Sequence, residues 1–343
     1  MKVFLDPRQR AHDPKHFIRF GRPTPNPEQP ERIDRLRAGA EAAGGVVTAP
    51  GDFGMAPIAR IHDPGYLEFL QTIHARWQQM PDAGDEVIPN THPRARTDSH
   101  SASPLGASGR YQGDTACPIG AETWESAYWS AQSALSAAAA VAEGDGLAYA
   151  LCRPPGHHAY ADMAAGFCFL SNAALAAEDL LRRGRRPAVL DIDVHHGNGT
   201  QDIFYARADV LTLSIHIDPD VLYPFFWGHA HERGEGRGQG CNLNLPLPRG
   251  AGDAAFLGAL DQALSRARAW SADCLVLALG LDAHESDPFE ALRVTTPGFH
   301  RIGARIAAQG LPVVAVQEGG YLSDHLSANI EAALRGLSGK DMT

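Results

Sequence analysis

The stretch of sequence that decides the fold is LDIDVHHGNGTQDIFY, residues 190–205. It continues an apolar run, Pro187–Ile192, that is short enough to be a buried strand. Three polar residues alternate with apolar ones where this run ends, namely Asp191, Asp193 and His195. In an extended backbone, side chains two residues apart point to the same face, so these three groups converge. Polar groups at the end of a buried strand are typical of the ligand-binding edge of an open α/β sheet.

The rest of the chain alternates short apolar runs with longer amphipathic ones, which predicts a mostly parallel sheet with helices on both faces. The predicted strands are Lys2–Leu5, Leu147–Cys152, Pro187–Ile192, Val210–Ile215, Cys274–Leu279 and Pro312–Val316. Several predicted helices begin at Ser, Asp or Pro and end at Gly. These helices are Gln29–Ala43, Pro64–Gln79, Trp124–Ala142, Asn172–Arg183, Asp253–Trp270, Pro297–Gln309 and Asp324–Leu337.

Two segments interrupt this alternation. Residues 81–121 are rich in Pro, Gly, Ser and Asp and show no sustained period. A loop of this length inside a compact domain is disordered or functional, and an active-site wall or a dimer contact is the usual functional case. Residues 223–240 predict a surface loop that begins with aromatic residues. Their glycines do not form a nucleotide-binding loop, because the required glycine spacing is missing.

Composition excludes several classes of protein. The chain has 343 residues and a formal net charge of -10, and this acidic excess argues against a nucleic-acid partner and favours a cationic small molecule. No apolar stretch is long enough for a signal peptide or a membrane span. The 5 cysteines are odd in number and form no C-x-x-C pair, which is typical of a reducing compartment. We therefore expect a soluble, cytoplasmic protein of one or two domains.

Asp193, His195 and Asp282 form a candidate metal site, because Asp282 also follows a predicted strand. Two carboxylates and one imidazole suit a divalent ion such as Zn²⁺, and three protein ligands leave a fourth coordination position open, as in catalytic sites. Burying such groups together without a cation would be costly. Asp191, on the same face, is placed for an outer role behind a ligand or for a neighbouring monovalent cation.

Two further segments follow predicted strands and carry groups for acid–base chemistry. His157 and His158 come after a Pro-Pro-Gly turn, and either imidazole can act as a general base near neutral pH while the other stays charged. Tyr321 follows a Glu-Gly-Gly turn and offers a phenol as hydrogen-bond donor to a developing oxyanion. A serine nucleophile is disfavoured, because the chain has no G-x-S-x-G motif.

Together these segments resemble the arginase-like deacetylases, a family that includes histone deacetylases and bacterial acetylpolyamine amidohydrolases. The matching motifs are NPEQPERI (26–33), HDPGYLEFL (62–70), RPPGHHA (153–159), GFCFLSN (166–172), LDIDVHHGNGTQDIFY (190–205), SIHIDP (214–219), NLPLP (244–248), LGLDAHESDPF (279–289) and EGGY (318–321). They span about residues 20–325. The resemblance implies a three-layer arginase/deacetylase-like α/β fold in a single domain, residues 1–343, with residues 81–121 as a loop insert.

The resemblance also implies a role for each site residue. It makes Asp193, His195 and Asp282 the ligands of one zinc ion per subunit, with Fe²⁺ as the alternative metal in the cell. It makes His158 the general base and acid, His157 its electrostatic partner, and Tyr321 the group that polarises the acetyl carbonyl.

The resemblance also implies roles for residues that surround the metal ligands and the histidine pair. The resemblance implies a structural K⁺ site at Asp191, Asp193, His195 and Ser214. Many relatives have Asp behind the second histidine, whereas this chain has Asn198, so we expect a lower pKa for His158. The residues implied to contact substrate are the aromatic walls Phe167 and Tyr223, the tunnel glycines Gly156 and Gly320, and the rim aspartate Asp114.

Features of the insert favour one branch of this family. The insert itself, the W-x-x-M pattern at residues 77–80 and the PNTHPRAR segment at residues 89–96 are similar to the acetylpolyamine amidohydrolases. The expected substrate is therefore a small cationic acetylated amine of the acetylputrescine or acetylcadaverine type. Its hydrolysis would release acetate and the free amine. The expected enzyme is a homodimer formed through residues 81–121. The first loop departs from this pattern, because His16-Phe17-Ile18-Arg19 stands where a polyamine enzyme can carry an acidic residue.

Three alternatives stay open at this point. A protein acetyl-lysine deacetylase would share every catalytic residue. A dimanganese ureohydrolase of the same fold would need more carboxylates than this chain supplies. A non-catalytic acyl-amine binder is disfavoured by the joint presence of His157, His158 and Tyr321.

Overall fold

A parallel sheet of eight strands forms the centre of the molecule in a computed structural model that describes residues 1–95 and 101–342. Arg96, the last residue of the 89–96 segment, and residues 97–100 of the insert lie outside the described residues. The strands are β1 (Lys2–Phe4), β2 (His16–Arg19), β3 (Arg22–Pro25), β4 (Val46–Thr48), β5 (Leu147–Ala150), β6 (Pro187–Asp191), β7 (Leu211–Ile217), β8 (Asn242–Leu247), β9 (Cys274–Leu279) and β10 (Val313–Gln317). Their order across the sheet is β4-β1-β5-β10-β9-β6-β7-β8, with every neighbouring pair parallel, and β2 and β3 form a separate antiparallel hairpin.

All six predicted strands belong to this sheet, and no end is shifted by more than two residues. The sequence missed the two edge strands, β4 and β8, and the hairpin. Strand β4 has only three residues, and β8 carries Asn at alternate positions and a proline, Pro246. A proline is tolerated at an edge, where its missing donor faces no neighbouring strand.

The helices flank the sheet and include all seven that were predicted. Their bounds are α1 (Glu31–Ala42), α2 (Met55–Ile58), α3 (Pro64–Trp77), α4 (Pro104–Tyr111), α5 (Thr123–Ala142), α6 (Asn172–Arg182), α7 (Asn198–Phe204), α8 (Asp253–Ala269), α9 (Thr296–Ala307) and α10 (Leu326–Leu337). The prediction of residues 81–121 as a loop throughout was wrong, because α4 lies within them. Its sequence, PLGASGRY, carries two glycines and so lacks helical propensity.

Two apolar layers enclose the sheet, which explains why its strands are apolar on both faces. In β6, Leu190 packs into one layer with α1, α8, α9 and α10. The preceding residue, Val189, packs into the other layer with α3, α5 and α6. This alternation confirms the predicted three-layer α/β fold, in which helices cover both faces of a parallel sheet.

The parallel arrangement also positions the site. Strands β5, β10, β9 and β6 are consecutive neighbours, and their carboxyl ends lie at one edge of the sheet. The predicted polar segments follow these four strands. Among the described helices, none is both long and apolar enough to span a membrane, even α5 with its 20 residues.

Candidate active site

Three buried side chains meet where β6 and β9 end. The possible ligand atoms of Asp193, His195 and Asp282 all lie within 4.8 Å of one another. His195 Nδ1 lies 3.1 Å from Asp193 Oδ1 and 3.2 Å from Asp282 Oδ2. Asp282 Oδ2 has no hydrogen-bond partner although it is fully buried. A buried carboxylate oxygen without a partner, beside a second carboxylate and an imidazole, fits a divalent metal ion.

Glycine residues make room for this cluster. A Cβ atom at Gly319 would lie 2.2 Å from Asp282 Oδ2 and 2.5 Å from Asp193 Oδ2, and one at Gly280 would lie 2.3 Å from Asp193 Oδ2. Any larger residue at these two positions would therefore displace a carboxylate. The backbone N–H of Gly319 donates to Asp193 Oδ2 at 2.7 Å, which fixes the carboxylate from the side of β10.

The two adjacent histidines have different partners. His157 Nδ1 lies 2.9 Å from Asp191 Oδ2. Burial disfavours a charged His157, but the carboxylates of Asp193 and Asp191 outweigh burial and raise the pKa of His157 to about 10. His157 is therefore the imidazole that stays protonated at neutral pH.

His158 is oriented by a neutral amide. Its Nδ1 lies 2.5 Å from Asn198 Oδ1, and Asn198 Nδ2 donates to the Tyr160 hydroxyl at 2.7 Å. In this orientation of the amide, Nδ1 of His158 carries the proton and donates to Asn198 Oδ1, and Nε2 has a free lone pair. Burial, together with the charges of His157 and His195, holds the pKa of His158 well below its usual range. Burial is the largest cause of this shift, and the hydrogen bond to Asn198 acts in the opposite direction, so the effect expected from Asn198 in place of Asp stays a prediction.

Above these groups lies a narrow pocket of about 240 Å³ with mostly aromatic walls. Its lining includes His158, His195 and Tyr321, so the candidate base, one possible ligand and the phenol face the same space. The other lining residues are Phe17, Ile18, Arg19, Phe20, Ala116, Gly166, Phe167, Leu222, Tyr223, Phe225 and Phe289. A pocket of this shape accepts a slender apolar chain with its reactive end at the bottom.

The turn that carries Tyr321 is held by buried charged groups. Arg32, fully buried, donates to the carbonyl oxygens of Gly320 and Glu318, both at 2.7 Å. Glu318 accepts from the backbone N–H of His157 at 2.9 Å, and Asp287 accepts from that of Tyr321 at 3.1 Å. The turn therefore connects the phenol to the histidine pair.

Other predicted site residues lie beside the pocket without lining it. Gly156 donates its N–H to Glu318 at 2.6 Å, and Gly320 sits next to Tyr321 with φ of 111°. Asp114 accepts from the Tyr223 hydroxyl at 2.8 Å. Ser214 is paired in register with Asp191 at the ends of β7 and β6. The substrate role of Asp114, Gly156 and Gly320 stays a prediction.

Several members of the site were missed from the sequence. Arg32, Asp287 and Phe289 lie within quoted motifs, but nothing in their local pattern assigns a role. Phe289 contacts His195 and Tyr321, with ring centroids 4.9 and 5.1 Å apart. Arg32, Asp287 and Phe289 reach the site only through tertiary packing, which no local sequence period indicates.

Known proteins match this chain along nearly its whole length. Residues 26–337 match the family model of the histone deacetylase domain. The chain is 50% identical to the acetylpolyamine amidohydrolase of Burkholderia pseudomallei (strain 1710b) over 98% of each chain. It is 38% identical to the acetylpolyamine amidohydrolase of Mycoplana ramosa over 99% of this chain and 100% of the relative.

A solved structure of the same identity to this chain matches its fold. The crystal structure of acetylpolyamine aminohydrolase from Burkholderia pseudomallei superimposes with a TM-score of 0.96, at 50% identity and 98% coverage of both chains. The buried acids, the histidine pair and the pocket tyrosine thus lie in a chain that matches this family along nearly its whole length. The protein belongs to the histone deacetylase domain family and is a metal-dependent deacetylase.

Proposed function

We propose that the protein is a zinc-dependent amidohydrolase that removes acetyl groups from small acetylated amines of the acetylpolyamine type and releases acetate. The observation that carries the proposal is the placement of His158 and Tyr321 in one narrow pocket directly above the Asp193, His195 and Asp282 cluster. Relatives named acetylpolyamine amidohydrolases, at 38% and 50% identity, support the substrate class.

In this proposal each side chain has one task. A divalent ion held by Asp193, His195 and Asp282 would supply Lewis acidity toward the carbonyl and the attacking water. His158 Nε2 accepts the proton of that water and then gives it to the amine nitrogen as the amide C–N bond breaks. The Tyr321 hydroxyl donates to the carbonyl oxygen as negative charge develops on it. His157, protonated beside Asp191, stabilises the same charge and keeps His158 neutral.

Two further assignments belong to this proposal. We propose a structural K⁺ beside Asp191, Asp193, His195 and Ser214, because Asp191 and Ser214 are paired in register at the ends of β6 and β7. We also expect a homodimer formed through residues 81–121. Sedimentation equilibrium tests this expectation directly, because a dimer has twice the mass of one chain. A mass of one chain at micromolar concentration would contradict the dimer.

A protein acetyl-lysine deacetylase is the second candidate, favoured by the match to the histone deacetylase family model. Both candidates need the same catalytic groups, so only the substrate distinguishes them. The experiment compares kcat/KM of zinc-loaded protein on acetylputrescine, acetylcadaverine and an acetyl-lysine peptide. We expect the small amines to be hydrolysed with higher kcat/KM than the peptide. A higher value on the peptide would favour the second candidate, and no acetate release from any of them would contradict both.

A further inference from the structure

The β2–β3 hairpin brings a positive charge to the mouth of the pocket. Phe17, Arg19 and their neighbours line the pocket, and Phe17 packs edge-on against Phe167 with ring centroids 5.6 Å apart. The hairpin turns at Phe20 and Gly21, whose φ angles of 51° and 73° are those of a tight two-residue turn. Arg19 is therefore held at the rim by a hairpin that packs against the pocket wall.

Arg19 is the one permanently charged residue among the fourteen that line the pocket. Apart from His158 and His195 at the bottom, the lining consists of apolar or aromatic side chains and one glycine. Within residues 1–95 and 101–342, no carboxylate lines this pocket. The mouth therefore has the opposite sign of charge from the whole chain, whose net charge is -10.

Nothing that the structure describes neutralises this charge by direct contact. The guanidinium carbon of Arg19 lies 5.3 Å from the ring centroid of Phe289 and 5.2 Å from that of Phe20. Arg19 forms no ion pair with any described carboxylate. Aromatic faces hold a guanidinium in place without cancelling its charge. Because the surroundings are apolar and half-buried, a second charge at the mouth interacts with Arg19 more strongly than it would in water.

Asp114, the predicted rim aspartate, is engaged elsewhere. Its Oδ1 accepts from the Ala116 N–H at 2.8 Å, and its Oδ2 accepts from the Gly166 N–H at 3.0 Å and the Tyr223 hydroxyl at 2.8 Å. Both oxygens thus brace the wall that Gly166 and Tyr223 form. Arg19 is therefore the charged side chain left free at the mouth of the pocket.

We propose that Arg19 selects substrates by the charge at the end distant from the acetyl group, preferring a carboxylate to a neutral end and a neutral end to an ammonium. The inference rests on the proposed deacetylase function and, among short substrates only, ranks acetylated ω-amino acids above acetylated diamines such as N-acetylputrescine. Arg19 repels an ammonium group that lies at the mouth. Acetylpolyamines long enough to place their ammonium beyond the mouth avoid this repulsion. Short acetylated diamines do not avoid it.

The test uses three acetamides that share one butyl arm: 5-acetamidopentanoate, N-pentylacetamide and N-acetylputrescine. Their kcat/KM values are measured on zinc-loaded wild type, Arg19→Gln and Arg19→Glu. We expect the ratio of the anionic to the cationic substrate to fall about tenfold in Arg19→Gln and to fall further in Arg19→Glu. The control is Arg22→Gln, because Arg22 pairs with Arg19 across the hairpin and is exposed without lining the pocket. An unchanged ratio in Arg19→Gln, or an equal change in Arg22→Gln, would overturn the proposal.

A binding measurement separates this proposal from the proposed function. Calorimetric dissociation constants of the three acetamides are determined with the same proteins carrying Tyr321→Phe in addition, which slows hydrolysis, after circular dichroism has shown that each variant is folded. If no acetamide is hydrolysed, the deacetylase proposal fails, whereas the order of the three dissociation constants still decides the role of Arg19. We expect the anion to bind most tightly to the Tyr321→Phe protein that retains Arg19, and equal binding of anion and cation to it would contradict the selection.

Discussion

His158 is neutral at pH 7 with Nε2 free to accept a proton, as the proposed general base requires, and both properties follow from its neighbours. Asn198 accepts from Nδ1, and burial with the nearby charge on His157 lowers the pKa. The sequence predicted both histidines and Tyr321, because their motifs follow strands. It could not predict Arg32 or Asp287 as supports, since their contacts join segments far apart in the chain.

The Tyr321→Phe variant tests the phenol. Removing one donor to an oxyanion lowers kcat by roughly 10²–10³, so we expect this loss with metal content unchanged. Steady-state kinetics and elemental analysis measure the two quantities. Tyr128→Phe is the matched control, because Tyr128 lies on α5 with its hydroxyl on Asp52, away from the pocket. Near-normal turnover of Tyr321→Phe would remove the phenol from the mechanism.

His62, which lies outside the metal cluster, makes the free energy of unfolding depend on pH. Its Nε2 accepts the Ser171 N–H at 3.0 Å, and burial lowers the pKa of His62 to about 4. Because the folded pKa lies below the unfolded value, the unfolded chain binds the proton first as pH falls. The free energy of unfolding therefore decreases between about pH 6.5 and 4, by about 3 kcal/mol from this group.

Urea unfolding at several pH values measures this contribution. We expect His62→Gln to be less stable than wild type at pH 7 and to lose part of the slope between pH 4 and 6.5. His231→Gln, a substitution at an exposed histidine, is the control and should keep the wild-type slope. A slope that is the same in wild type and His62→Gln would contradict the assignment.

At the scale of the elements, the turn after β10 connects the metal cluster to the phenol. Gly319 lies against both carboxylates, and the next residues carry Tyr321. The sequence predicted strand β10 and its turn. It could not predict the close approach of this turn to Asp193 and Asp282, because that distance depends on how β10, β9 and β6 align in the sheet.

The Gly319→Ala variant tests this close approach. A Cβ atom 2.2 Å from Asp282 Oδ2 must displace that carboxylate, so we expect zinc affinity to fall at least tenfold. Competition with a chromogenic chelator measures the affinity. Gly258→Ala, in the middle of α8 with no atom within 4 Å of the added methyl group, is the control and should bind zinc as wild type does. Equal zinc affinity in both variants would show that the turn does not shape the site.

At the scale of the whole molecule, the parallel sheet explains why distant motifs form one site. Segments from Arg32 to Tyr321 meet at one edge, as expected for the carboxyl ends of neighbouring parallel strands. The alternation of apolar runs and amphipathic helices predicted this sheet. The hairpin at the pocket mouth could not be predicted, because its placement over the pocket depends on contacts with Phe167 and Thr115.

The central claim is that one metal ion at Asp193, His195 and Asp282 makes this protein a deacetylase. The most direct measurement removes metal with a chelator and titrates zinc back while acetate release from N-acetylputrescine and bound zinc are both recorded. We expect acetate release to be lost in the metal-free protein and to rise in proportion to bound zinc up to one ion per chain, with Asp282→Asn binding less zinc. Full acetate release without metal, or unchanged zinc stoichiometry in Asp282→Asn, would contradict the claim.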